Sequence, residues 1–210
     1  MAISLQVFVR IRPCLYHLTH RDNLERIRHT RLLETAAQFI EQARRNDLCS
    51  MRRKESVPVT VDGTKVYLRD QRPLHNGNIA FAPGFTFEQL IDLINDRVYF
   101  WPGKDGAPIA HGKRHFERYR GKGPALIRVP TADILDAANA ARVEFCKYNS
   151  GSPRCVGGKH SPRGPETFVT AERAAFTPGS VVEVTFRGGV RLPESAMVSY
   201  ELEGPWTPLF

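Results

Sequence analysis

The chain has no run approaching the roughly 18 consecutive apolar residues of a membrane-spanning helix, which excludes that element from the sequence. Its four cysteines, Cys14, Cys49, Cys146 and Cys155, form no C-x-x-C pair. A disulfide framework is not expected in a chain of this size and compartment, so Cys14 and Cys146, within apolar β-like runs, read as buried thiols. There is no G-x-G-x-x-G, Walker loop, H-E-x-x-H or nucleophile elbow, and each of the corresponding nucleotide, zinc and serine chemistries loses its usual signature. Gly121-Lys122-Gly123 does not substitute, because no strand–turn–helix context surrounds it. Internal repeats and low-complexity tracts are absent. Met1 to Arg12 carries no signal-peptide cleavage pattern, so the expectation is a soluble, cytoplasmic protein with no membrane partner.

What is present suits one globular domain over residues 1–210, with 41% hydrophobic and 25% charged residues. The net charge is +8 and unevenly placed. Between Lys104 and Arg163 twelve Lys and Arg face five Asp and Glu, so nearly all of the excess lies in that stretch. Such a field suits a polyanion, either nucleic acid or a phosphate-bearing cofactor. The competing reading is a solvated basic face.

Short Val-, Ile-, Tyr- and Phe-rich runs predict strands at 14–18, 65–69, 98–101, 125–129, 142–146, 181–187 and 197–202. Helices are predicted from a cap at Asp22 to about His29, over Glu34 to Arg45, after the capping box Thr86/Gln89, and from Thr131 through Ala141. Helices then dominate the first half and strands the second, an α+β pattern. Two segments read as long irregular loops, Pro102 to Gly123 (with a helical patch at 115–119) and Tyr148 to Thr167.

Several constellations carry chemistry. His17 and Thr19 lie two apart and share a strand face, with a hydrogen-bonded core histidine as the plainer reading. Zinc is disfavoured, since His17 and His20 have no third ligand at metal spacing; no metal is expected. Arg69 and Arg72 flank a strand end and can hold a pyrophosphate, unless Asp70 simply pairs with one of them. Tyr99, in an aromatic strand, can stack on a flat ring. Lys147, Tyr148, Asn149, Arg154, Lys159 and Arg163 give a loop able to bind unpaired bases. Glu183 is the lone acid in Val181 to Phe186, and a buried unpaired carboxylate is costly. Its structural alternative is a salt bridge to Arg187.

In this order the segments resemble an NAD-dependent ADP-ribosyltransferase of the poly(ADP-ribose) polymerase-like clade, closest to the DarT-type bacterial toxins that modify DNA. Leu15-Tyr16-His17-Leu18-Thr19, then Asn23-Leu24 and Ile27, resembles the clade's L-x-H-x-T strand and N-L-x-x-I helix. Val98-Tyr99-Phe100 resembles its aromatic strand, and Val182-Glu183-Val184 the strand bearing the catalytic Glu. Arg44 to Val57 and Pro102 to Gly123 have no counterpart in the pattern. The resemblance implies a single-domain ADP-ribosyltransferase-like fold, with a split mixed/antiparallel sheet flanked by helices. It implies NAD as co-substrate, Glu183 and Arg69 as catalytic residues, and His17, Thr19, Asn23, Arg69, Arg72 and Tyr99 around NAD, with Arg69 or Arg72 as the pocket arginine. The target is then a DNA or RNA base, and the protein a toxin or phage-defence effector with an antitoxin or macrodomain hydrolase as partner. The alternatives are an NAD-dependent RNA 2′-phosphotransferase and a non-catalytic nucleic-acid-binding module.

Overall fold

In the computed structural model every residue is described except Met1, Asp105, Arg154, Gly157 and Gly158, and side chains at 137, 155–156 and 159–161 are not described. Ser4 caps helix α1 (Leu5–Ile11), whose Phe8 enters the core. Strand β1 (Cys14–His20) follows, then a short turn of 3-10 helix and α2 (Leu24–Thr30). Asp22 does not cap this region as expected. The His20 ring accepts from the Asp22 N–H instead, at 3.2 Å. After β2 (Leu32–Leu33), Thr35 and Gln38 close a capping box on α3 (Ala36–Gln42).

Strands β3 (Val57–Val61) and β4 (Thr64–Leu68) form a hairpin around Asp62 (φ 50°) and Gly63 (φ 75°). Two successive left-handed residues match the twist that a tight hairpin requires. Strand β5 (Ile79–Phe81) leads to α4 (Phe87–Asn95), which starts on the predicted Thr86/Gln89 box. Strands β6 (Arg97–Lys104) and β7 (Ala107–Pro108) precede α5 (Ala110–Tyr119). The stretch 102–123 is therefore a strand end and a helix, not an irregular loop. Strand β8 (Pro124–Pro130) is followed by two four-residue turns of helix, α6 (Thr131–Ile134) and α7 (Ala137–Ala140), where one continuous helix was expected. Strands β9 (Val143–Cys146), β10 (Cys155–Val156), β11 (Lys159–Arg163), β12 (Glu183–Arg187), β13 (Val190–Arg191), β14 (Met197–Ser199) and β15 (Thr207–Pro208) complete the chain. All seven predicted strands exist. The expected division into a helical and a stranded half does not hold, because β1 to β6 all lie before residue 105.

The main sheet runs β15-β14-β8-β1-β6-β12-β9, with β7 on β6, and its pairs are antiparallel. Alternation along β1 and β8 loads both faces. Leu15, Ile127 and Val129 pack with Phe8, Leu24, Ile27, Phe100, Val184 and Phe186 on one side. Tyr16, Leu18 and Leu126 pack with Trp101, Phe116 and Tyr119 of α5 on the other. Helices thus cover the sheet on both faces in an α+β arrangement. The parallel pair is β5–β11, outside the main sheet.

The feature that positions the site is a fork. Strands β1 and β6 pair only from Cys14↔Gly103 to Tyr16↔Trp101. Beyond that point β1 stays with β8 as far as His20↔Pro124, and β6 stays with β12 through Tyr99 and Val98.

Candidate functional site

The fork opens at His17. Its Nδ1 lies 2.9 Å from the Tyr99 carbonyl oxygen, bridging the parted strands. A carbonyl only accepts, so Nδ1 carries the proton and Nε2 keeps its lone pair. Burial pushes the His17 pKa down to about 4, opposed by the bond to Tyr99 and reinforced by Arg69. At neutral pH this is a neutral imidazole whose acceptor nitrogen suits a hydroxyl or amide N–H.

Thr19, on the same side of β1, is fixed by Asn23. The Asn23 Nδ2 donates to Thr19 Oγ1 at 3.1 Å and to the Tyr67 carbonyl at 3.1 Å, and its Oδ1 accepts from the Tyr67 N–H at 2.8 Å. Both amide hydrogens are therefore spent inside the protein. Asn23 ties the hairpin strand β4 to β1 and sets the Thr19 hydroxyl. The hairpin closes one side of the fork and delivers Arg69. That guanidinium donates to the Leu18 carbonyl at 2.9 Å, lies over the Tyr119 ring at 4.5 Å and reaches His115 Nδ1 at 3.5 Å.

Glu183 starts β12 on the opposite arm. It is 3% exposed, and its Oε2 accepts the Ser150 N–H at 3.0 Å. Burial raises its pKa from 4.5 to about 7, against the pull of Ser150 hydrogen bonds and the Arg163 charge. The expected partner Arg187 does not reach it, pairing instead with Asp96 at 2.9 Å. Val181 lies with Val184 and Phe186 in the main core. Tyr99 turns its hydroxyl onto the Ile94 carbonyl at 3.0 Å and its ring edge toward Phe168.

These groups line one cavity of about 200 Å³, which brings together His17, Thr19, Asn23, Arg69, Tyr99 and Glu183. Arg72 is not among its walls. It lines a neighbouring basic cavity with Arg52, Lys54, Lys122 and Arg69 itself; of Arg69 and Arg72, only Arg69 lines the Glu183 cavity, alongside Arg26, Arg53, Arg97 and Arg118. Two polar atoms of the wall, Arg69 Nε and Trp101 Nε1, are buried without a partner among the described residues. Buried polar atoms are usually paired with protein groups or ordered water.

The expected nucleic-acid loop divides. Lys147 is exposed, and Asn149 reaches His115 Nε2 at 3.2 Å. Tyr148 carries the Arg163 guanidinium at 4.7 Å and the Lys147 ammonium at 5.3 Å from its ring centroid. Arg163, expected on the surface, is 2% exposed and donates to the Asn149 carbonyl at 3.0 Å. Through the Asn149 carbonyl it braces the loop whose Ser150 N–H holds Glu183. Arg154 lies outside the described residues, and the Lys159 side chain is likewise not described.

Sequence reasoning missed the support beneath Arg69. Arg53, 5% exposed, donates to the Arg69 carbonyl at 3.0 Å and to Asn95 Oδ1 at 2.9 Å, and Gln71 joins the same oxygen at 3.0 Å. It also missed His115, which links Arg69 to Asn149. Nothing local in the sequence marks either group, because their partners are 16 to 46 residues away.

No group of three or more His, Cys, Asp or Glu side chains among the described residues is arranged to hold a metal ion, and no described helix is long and apolar enough to cross a membrane. A model for a family of unknown function, DUF7002, matches residues 13–197. No curated protein and no solved structure matches the chain.

Proposed function

We propose that this chain, which belongs to the DUF7002 family of unknown function, transfers ADP-ribose from NAD to a base of DNA or RNA, acting as a toxin or phage-defence effector. The observation that carries the reading is Glu183, a buried carboxylate without an ion-pair partner among the described residues, lining one cavity with the neutral His17 and with Thr19. Breaking the bond between ribose C1′ and nicotinamide develops positive charge on the ribose. A carboxylate in a low-dielectric wall stabilises that charge strongly. The acceptor atom of the base then bonds to C1′ and gives up its proton, for which a carboxyl titrating near 7 is a matched base.

The remaining residues bind and orient. His17 Nε2 offers an acceptor to a ribose hydroxyl, and Thr19 offers a hydroxyl already aimed by Asn23. Arg69, cationic and backed by Arg53, suits the pyrophosphate. Tyr99 supplies a ring face for nicotinamide. The unpartnered Arg69 Nε and Trp101 Nε1 add donors that such a ligand would satisfy.

The test is incubation with NAD labelled in its adenylate, together with single-stranded DNA or RNA. Label should appear on the nucleic acid, and Glu183→Gln should lower transfer by about two to three orders of magnitude, the cost typical of a lost transition-state contact. Absence of NAD turnover with either acceptor, or a Gln variant as fast as wild type, overturns the assignment.

A further inference from the structure

A second cavity of about 320 Å³ adjoins the Glu183 pocket and shares His115, Arg118 and Asn149 with it. Its basic wall is His111, Arg114 and His115 from α5, with Arg118 one turn further on, and Lys147 and Arg163 from the β9 side. No Asp or Glu lines it among the described residues. Arg118 has one carboxylate neighbour, Asp70, at 3.7 Å. Arg114, Lys147 and Arg163 make no ion pair with a described residue. Arg163 is almost fully buried, yet its Nε has no partner among the described residues.

The His115 ring between the two cavities is held neutral. Burial, then Arg69, Arg118, His111 and Arg114, lower the His115 pKa to about 2. Holding Arg114, Lys147 and Arg163 together with no carboxylate among the described residues of the wall costs stability through self-repulsion. The arrangement makes sense for a wall that meets an anion.

Which part of a nucleic acid would meet it follows from Tyr148. One cation lies over its ring at 4.7 Å and a second at 5.3 Å. The ring is therefore engaged by cations, and the described polar groups of the wall are mainly donors. Bases are read by stacking and by mixed donor–acceptor edges, whereas phosphate oxygens only accept.

We propose that this cavity is the acceptor subsite and that it grips a phosphate group of the acceptor strand, not its base. The proposal rests on the transferase reading for the word acceptor, but the phosphate site stands on its own residues. A phosphate held here lies beside Asn149 and Ser150, the loop whose backbone holds Glu183, and so places the neighbouring nucleotide at the mouth of the reaction pocket. The phosphate is either a backbone diester or a terminal monoester.

The experiment uses the full chain and fluorescein-labelled dT8 carrying either a 5′-phosphate or a 5′-hydroxyl, read by anisotropy across a salt series. Arg114 and Lys147 are exposed, so Arg114→Gln/Lys147→Gln should fold normally. It should weaken dT8 binding about tenfold or more and flatten the slope of log affinity against log salt by about one to two counterions. Arg10→Gln/Arg191→Gln, equally exposed and outside the cavity, should leave binding within twofold. A monoester site shows as tighter binding of the 5′-phosphorylated probe, with the difference lost in the cavity variant. A diester site shows as equal affinity for both probes in the wild type and equal losses in the variant. The proposal is overturned if the cavity variant binds as wild type, or if the control variant loses as much. NAD titration by calorimetry is read separately. Absent NAD binding with cavity-dependent dT8 binding removes the transferase reading and leaves the phosphate site intact.

Discussion

Replacing Glu183 by Gln should stabilise the protein, and by an amount that depends on pH. The carboxyl titrates near 7 in the folded chain against an ordinary 4.5, because burial opposes its charge. Below pH 4.5 it is protonated in folded and unfolded chains alike and contributes nothing. Between 4.5 and 7 the unfolded chain releases its proton while the folded chain keeps it, so stability falls as pH rises. Above 7 the loss levels off. Each pH unit of the gap is worth about 1.4 kcal/mol, giving about 3 kcal/mol at pH 8 that the neutral Gln does not forfeit. For a domain of this size that is a rise in Tm of roughly 5–10 °C. The assay is differential scanning calorimetry of wild type and Glu183→Gln at pH 4.5, 6 and 8. The two curves should converge at the acid end and separate toward pH 8, with the variant melting higher. A variant that melts lower at pH 8 means that Glu183 is half of a buried ion pair, where removing one partner costs about 3–5 kcal/mol. That outcome refutes the reasoning, as does a difference independent of pH.

His17→Ala should weaken NAD binding about tenfold or more by calorimetry. It should also soften the acid loss of stability between pH 6.5 and 4, because a histidine whose folded pKa lies near 4 makes the fold weaker as pH falls through that window. Asn23→Ala should lower stability by about 2–3 kcal/mol in urea unfolding, since three hydrogen bonds to Thr19 and Tyr67 disappear and the Tyr67 backbone groups lose their partners.

Strands were legible wherever apolar alternation met a polar flank, which is why β1, β6, β8 and β12 stand near their predicted places. The hairpin strand β3 was missed although Asp62-Gly63 marks its turn, because Val57 to Val61 carries a proline and a threonine on its outer face. Helix α5 was largely missed because its ten residues include two histidines, a glycine and four charges, and only Gly112, Phe116 and Tyr119 are buried. Among site residues, His17, Thr19 and Glu183 could be read from strand periodicity, a local property. Arg53, Gln71, Asn95 and His115 could not, because each acts through partners brought near only by the fold. Arg163 was misread for the opposite reason. A cation in a polar, Gly- and Pro-rich stretch looks like surface until the fold buries it against Tyr148 and the Asn149 carbonyl.

The fork between β1 and β6 has a consequence for affinity. The strands are already parted, and His17 already joins the two arms through the Tyr99 carbonyl, so the conformational cost of opening the sheet is met during folding and not at ligand encounter. Pre-organisation of this kind lowers the entropic penalty of association and slows escape more than it speeds arrival. It also predicts where the protein tolerates change least. Substitutions that let the two arms zip together would raise thermal stability while erasing the binding cavity, so the most stable variants of this chain would be the inert ones.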